Sequence, residues 1–278
     1  MKGLIVLTAA LIAPLRVLPA AVLDADALRA WMDYVNTADL RMKPRLQGQL
    51  PFLWTDESAD RRRRVAAGDT VIAPATDNGF RNAPNALIHH WIGAVFIPHA
   101  TLQQLAATLH SYGRYKDFYR PFVVDSKVCP NAAADQEFTL VLQYRTMFGS
   151  FAYETRYTVR EYLVDERRRY SISDTPLVRE IVAYGAAGER ALPSGTGTGF
   201  VWRLHTIARY EQRDGGVYLE LEALALTRGI PGPLRWMVTP MVKRMSINSM
   251  EAALIKTRNA ARAVNTVTEV MAAHPGTM

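Results

Sequence analysis

The dipeptide Asp214-Gly215 constrains this chain more than any other feature. A two-residue Asp-Gly connection suits a tight hairpin turn, and such a turn fixes which residues of the flanking strands stand opposite each other. Centred there, the pairing sets Tyr210 against Leu219, Ala208 against Leu221, Thr206 against Ala223, Leu204 against Ala225 and Trp202 against Thr227. These residues share one face, because strand side chains alternate. The other face pairs Arg209 with Glu220 and carries Arg203, His205, Glu211 and Glu222. One face is apolar and the other charged, so the first belongs to a core and the second is expected to meet solvent.

A second hairpin is expected at Gly149-Ser150, with Gly first in the turn. That register opposes Phe148 with Phe151, Thr146 with Tyr153, Tyr144 with Thr155, Leu142 with Tyr157 and Leu140 with Val159. The reverse face opposes Arg145 with Glu154 and Gln143 with Arg156, a polar and solvent-facing set. Further strands are read at 87–97, 122–128 and 168–184. One or two short helices lie within Thr101–Tyr119, and a helix over Asp24–Gly48 is capped by Asp24 or Asp26. From Leu234 the period changes from two to that of a helix: Met250, Leu254, Thr257, Ala261, Val264, Val267 and Met271 follow steps of three and four, and Pro240 kinks or starts the main part of it.

The fold class is therefore α+β, with residues 22–68 as an N-terminal helical extension to a domain over 69–278. The centre of the second hairpin's apolar face is small (Thr206, Ala208, Ala223, Ala225), which leaves volume above the sheet. Tyr144, Tyr153 and Tyr157 of the first hairpin add hydroxyls to an apolar lining, as an amphiphilic ligand requires. The expected ligand wall is Trp91, Tyr144, Tyr153, Tyr157, Trp202, Thr206 and Ala223 from the sheet, closed by Trp236, Met241 and Met245 from the helix.

The order of strand, short helices, antiparallel sheet and long last helix resembles the helix-grip fold of the START-like, polyketide-cyclase-like (SRPBCC) superfamily. The segments that carry the resemblance are Ile88–Pro98 (IHHWIGAVFIP), Leu109–Pro121, Val124–Val128 and Leu224–Pro233, spread over about Asp69 to Ala272. The Ile88–Pro98 segment also resembles that of a group of exported bacterial proteins. The resemblance implies a curved sheet wrapped around the C-terminal helix with a hydrophobic ligand between them. It spans carriers, receptors and cyclases, so it implies a fold better than an activity.

Other residues narrow the choice. The one cysteine, Cys129, excludes an intrachain disulfide and a Cys-rich zinc site. His89 and His90 are adjacent on a strand and point to opposite faces, so they cannot chelate one metal together. His99 and His110 show no carboxylate at ligand spacing, and His205 falls on the charged face. There is no HExxH motif, and neither a metal site nor a cofactor is expected. The run Arg61–Arg64 follows Asp56, Glu57 and Asp60, which neutralise it locally. The formal charge of +7 permits a transient contact with an anionic membrane surface. The mixture of Arg and Glu on the outer sheet face argues against nucleic acid. Met1-Lys2, the apolar run to Leu15 and the small residues at Ala20-Ala21 read as a signal peptide over 1–21, which points to a periplasmic or secreted protein. Three functions fit: binding of a lipid, isoprenoid or aromatic molecule; a cyclase or hydrolase using His89 or His90 with a tyrosine hydroxyl; or an interaction module whose centre is filled by its own side chains.

Overall fold

The computed structural model describes residues 20–76, 78–129, 136–146 and 149–273; the segment read as a signal peptide falls almost wholly outside them. In chain order the elements are β1 (Ala21–Val22), α1 (Ala25–Leu40), α2 (Met42–Leu46), α3 (Ala59–Ala66), β2 (Val71–Pro74), β3 (Phe80–Ala83) and β4 (Ala86–Pro98). Then come α4 (Leu102–Leu109), α5 (Tyr115–Phe118), β5 (Val123–Val128), β6 (Gln136–Thr146), β7 (Gly149–Leu163) and β8 (Arg168–Val182). The chain continues with β9 (Arg190–Ala191), β10 (Thr196–Gly197), β11 (Arg203–Arg213), β12 (Gly216–Arg228) and α6 (Arg235–Ala273). An antiparallel sheet runs β2-β4-β12-β11-β8-β7-β6-β5, with β3 on β4 and β9 on β8, while β1 pairs separately with β10.

The Asp214-Gly215 hairpin has the expected register: Tyr210 opposes Leu219, Thr206 opposes Ala223 and Arg209 opposes Glu220. Both turn residues have left-handed backbone angles (φ 53° and 75°), which the Asp-Gly pair supplies at little cost. The other hairpin is shifted. Thr146 opposes Gly149, so Leu142 faces Tyr153 and Leu140 faces Thr155. The expected turn at Gly149-Ser150 is therefore not formed: Gly149 already pairs within the strand, and the connection itself lies outside the described residues. Each partner changes by four positions, an even number, so every side chain keeps its face. The expected Arg145–Glu154 pair is absent from this register. Glu154 instead pairs with Arg179, and Arg156 with Glu137 at 2.5 Å.

On the inner face lies α6, whose Met250, Leu254, Thr257 and Ala261 are buried as the helical period requires. The helix runs through Pro240 rather than starting at it. Val264, Val267 and Met271 continue the period where side chains are not described. Gly93 of β4 lets this helix approach, since a Cβ there would stand 2.8 Å from Leu254 Cδ1 and 2.9 Å from Met250 Sδ.

The outer face is where the structure departs most from expectation. It does not meet solvent. The N-terminal helices cover it, and Arg209, Glu220, Glu222, His205 and His90 are all buried. Helix α1 turns Ala27, Trp31, Tyr34 and Ala38 onto the sheet, one face at steps of three and four, and leaves Met32 and Leu40 exposed. It is capped by Asp24, which accepts from Ala27 N–H at 2.7 Å, and it ends at Arg41, so the single helix expected to Gly48 is two.

Burial of these charges is tolerable because each finds partners. The Arg209 guanidinium donates to Glu220 at 3.1 Å and to Glu222 at 2.8 Å. Glu220 also accepts from the Trp54 and Thr55 backbone N–H groups and from the Thr55 hydroxyl. His90 bridges Glu222 at 2.9 Å and the Tyr34 hydroxyl at 2.8 Å. Burial opposes the charge on Glu222, but His90 and Arg209 outweigh it and hold the carboxyl down at about 2. His205 lies between Asp174 at 2.6 Å and Asp39 of α1 at 2.9 Å. Burial opposes its protonation too, yet the two carboxylates raise it to about 9. The helical extension is thus bonded to the sheet through the residues that the sequence pattern assigned to water.

Candidate functional site

Between the inner sheet face and the middle of α6 lies a half-open cavity of about 310 Å³. Its floor comes from alternate residues of β6, β7, β8 and β11: Phe138, Leu140, Leu142, Tyr144, Tyr157, Ser171, Ser173, Thr206 and Ala208. The segment from α4 to β5 adds Leu109, His110, Tyr112, Tyr115 and Tyr119, and α6 adds Ser249, Ala253, Lys256 and Thr257. The small side chains at Thr206 and Ala208 leave the volume open, as their size implies.

An aromatic stack forms one wall. Tyr112 stacks on Phe138 with ring centroids 4.2 Å apart, and Phe138 on Tyr157 at 4.9 Å. Tyr115 meets Phe138 edge-on at 5.4 Å. Several tyrosine hydroxyls of the wall are engaged by the protein itself. Tyr115 donates to the Leu109 carbonyl at 2.5 Å, Tyr112 to Gln136, and Tyr119 joins Thr257 of α6 at 2.8 Å. Tyr210 donates to Glu161, which also holds His110 Nε2 at 3.2 Å. Its contact with His110 keeps the Glu161 carboxyl below the ordinary carboxylate range despite partial burial. Burial raises the Tyr144 hydroxyl to about 12, so it stays neutral at physiological pH.

The structure divides the residues expected to form the ligand wall. Tyr144, Tyr157 and Thr206 line the cavity. Trp91 and Ala223 lie on the inner face but in the packed core beneath α6, where the Lys243 ammonium stands 5.9 Å from the Trp91 ring centroid. Tyr153 is buried behind the wall with its hydroxyl 3.3 Å from Thr198. Trp202 sits in the other core, under the N-terminal helices. It precedes β11, and its N–H donates to the Leu226 carbonyl, so the strand alternation used to place it does not reach it. Gly199, in a left-handed conformation (φ 73°), accommodates its ring, for a Cβ there would stand 2.9 Å from Trp202 Cζ2. Trp236 does not close the cavity: it is 79% exposed on the first turn of α6, which no described residue covers. Met241 and Met245 are half-buried but away from the lining, because the cavity meets α6 further along, from Ser249 to Thr257.

Neither histidine of the expected catalytic pair reaches the cavity. His90 is on the outer face, and His89 is held by Thr227 at 2.9 Å and Ser246 at 3.3 Å, with burial lowering it to about 4. His110, passed over for want of a carboxylate nearby in sequence, has Glu161 brought to it by the sheet. The aromatic wall of Phe138, Tyr112, Tyr115 and Tyr119 was also missed. The helical period does mark Thr257 as facing inward, and Lys256 is its neighbour.

A wider opening of about 670 Å³ lies elsewhere, lined by Val22, Asn78, Asn82, Asn85, Trp202, Arg228 and Arg235 among others. Its wall is divided about evenly between polar and apolar surface. The smaller cavity has the apolar wall and few converging polar groups of a small-molecule site.

A long antiparallel sheet that closes on the last helix, with the cavity between the two, decides the architecture. The chain has a helix-grip fold. No family model and no curated protein matches it. Among solved structures it is similar to a STAR-related lipid transfer protein fragment from Xanthomonas axonopodis (14% identity, TM-score 0.43, 66% of this chain and 99% of that one). It is also similar to human STARD10 (8% identity, TM-score 0.42, 72% and 79%). A third is the di-domain aromatase/cyclase StfQ of the steffimycin biosynthetic pathway (12% identity, TM-score 0.42), where the match covers 63% of this chain and 52%, about half, of StfQ. The ligand of the present chain is argued below from its own cavity.

Proposed function

We propose that this START-like protein binds one small apolar or amphiphilic molecule, aromatic or lipid-derived, in the cavity between sheet and α6. The observation that carries this reading is the open volume itself, walled by stacked aromatic rings. A filled-core module would leave no such space; Trp202 packs in the other core, and Met241 lies away from the lining. At about 30 Å³ per water-sized group, 310 Å³ holds about ten non-hydrogen atoms. Export to the periplasm or beyond, and transient docking to an anionic membrane surface through the basic charge, complete the proposal. The leader-like start and the net charge of +7 support them.

Titration with the neutral fluorophore 2-methoxynaphthalene tests the cavity. Saturable binding at one site is expected, and Ala253→Phe, which projects a ring from α6 into the lining, is expected to abolish it without lowering the melting temperature. Absence of saturable binding by the wild-type protein would overturn the reading. A second reading, proton transfer in the same cavity, rests on the His110–Glu161 contact at its edge. It requires that His110→Asn abolish turnover of a bound substrate while leaving its affinity intact.

A further inference from the structure

The cavity wall has an uneven charge. Among the described residues its lining includes no aspartate and no glutamate. It includes two basic side chains, and one of these is already answered: His110 is held by Glu161. The other is Lys256, half-buried on the face of α6 that also presents Ser249, Ala253 and Thr257 to the cavity. Among the described residues Lys256 has no ion-pair or hydrogen-bond partner. Thr257, its neighbour, is occupied by Tyr119 and by the Ala253 carbonyl. The Tyr112, Tyr115 and Tyr210 hydroxyls likewise have protein acceptors. A lysine in an apolar wall lays its stem along that wall and keeps its ammonium at the open side. An ammonium at the mouth of an apolar cavity, with low-dielectric walls on one side and no carboxylate among the described residues facing it, attracts an anion more strongly than one on the open surface.

We propose, building on the cavity-binding function above, that the ligand class is a small carboxylate. An aliphatic or aromatic acid of about ten non-hydrogen atoms would place its carboxylate on Lys256 and its apolar body against Phe138, Leu140 and Leu142. The volume sets the size, the aromatic wall sets the apolar end, and the unanswered cation sets the sign of the polar end.

Isothermal titration of the full-length protein with decanoate and with 1-decanol tests this, because the two differ in charge at equal chain length. Decanoate is expected to bind at least about tenfold more tightly, as a charge-assisted hydrogen bond in a half-buried site implies. In Lys256→Met, which keeps the apolar stem, decanoate affinity is expected to fall to that of 1-decanol, with 1-decanol unchanged. Lys256→Arg is expected to preserve the preference. Equal wild-type affinities for the two ligands, or a preference that survives Lys256→Met, would overturn the carboxylate assignment and leave the cavity-binding function standing. Binding of neither ligand would overturn both.

Discussion

The buried His205 offers a quantitative test of how the N-terminal helices are held. Its imidazolium lies between Asp174 of β8 and Asp39 of α1, and the side chain is fully buried. A rise from 6.5 in the unfolded chain to about 9 in the folded one is worth at most about 3 kcal/mol. Solvent reaches both carboxylates (28% and 38% exposed side chains), and allowing for its screening leaves about 2 kcal/mol. The sign follows from which state binds the proton. Below pH 6.5 folded and unfolded chains are both protonated, and the stabilisation is fully present. As pH rises from 6.5 towards about 9 the unfolded chain gives up its proton first, and the stabilisation declines. Above about 9 it is gone. The assay is urea unfolding of wild type and His205→Gln at pH 6 and pH 9.5, followed by tryptophan fluorescence. The stability gap between the two proteins is expected to be larger by about 2 kcal/mol at pH 6. Other groups that titrate in this range act on both proteins and cancel in the difference. A gap that does not change with pH would refute the reasoning, because it would mean that His205 is held by packing and not by its charge.

Three further outcomes follow from the same packing, and a fourth concerns the cavity. Arg209→Met leaves the buried Glu220 and Glu222 without their shared cation and is expected to cost about 3–5 kcal/mol in chemical denaturation. Tyr34→Phe removes only the 2.8 Å bond to His90, a loss of about 1 kcal/mol in the same assay. Gly93→Val is expected to lower stability by about 1–3 kcal/mol, because a β-branched side chain meets Leu254 and Met250 where α6 lies closest to the sheet. Ala253→Phe is expected to remove binding of a neutral aromatic probe while the protein melts as before, because it fills space that no described residue occupies.

Much of the architecture is legible in the sequence, and the reason is periodicity. Alternation along β11 and β12, tied to one Asp-Gly turn, is enough to pair their residues correctly. The change to steps of three and four after the last strand announces α6 and the face it buries. Where the turn is less specific, as near Gly149, alternation still assigns each residue its face but leaves the partners open by even steps. Tyr144, Tyr157 and Thr206 were legible as cavity residues for that reason alone. Trp202 and Trp236 were not, because one precedes its strand and the other lies on a helical turn that the sheet does not cover.

Local spacing was enough for the long strands and their faces, the last helix and the small side chains that leave room beneath it, while the short strands before β4 and between β8 and β11 carry no such pattern. Tertiary structure decided two things that spacing cannot hold. It buried the charged face of the sheet, because Tyr34, Asp39 and the backbone at Trp54 and Thr55 bring partners for His90, His205 and Glu220 from far along the chain. It also assembled the cavity, bringing Glu161 to His110 and leaving Lys256 in a wall with no acid among the described residues. A charge on a strand reads as solvent-facing until its partner is known. The partner of a buried charge is set by which surfaces come together in three dimensions.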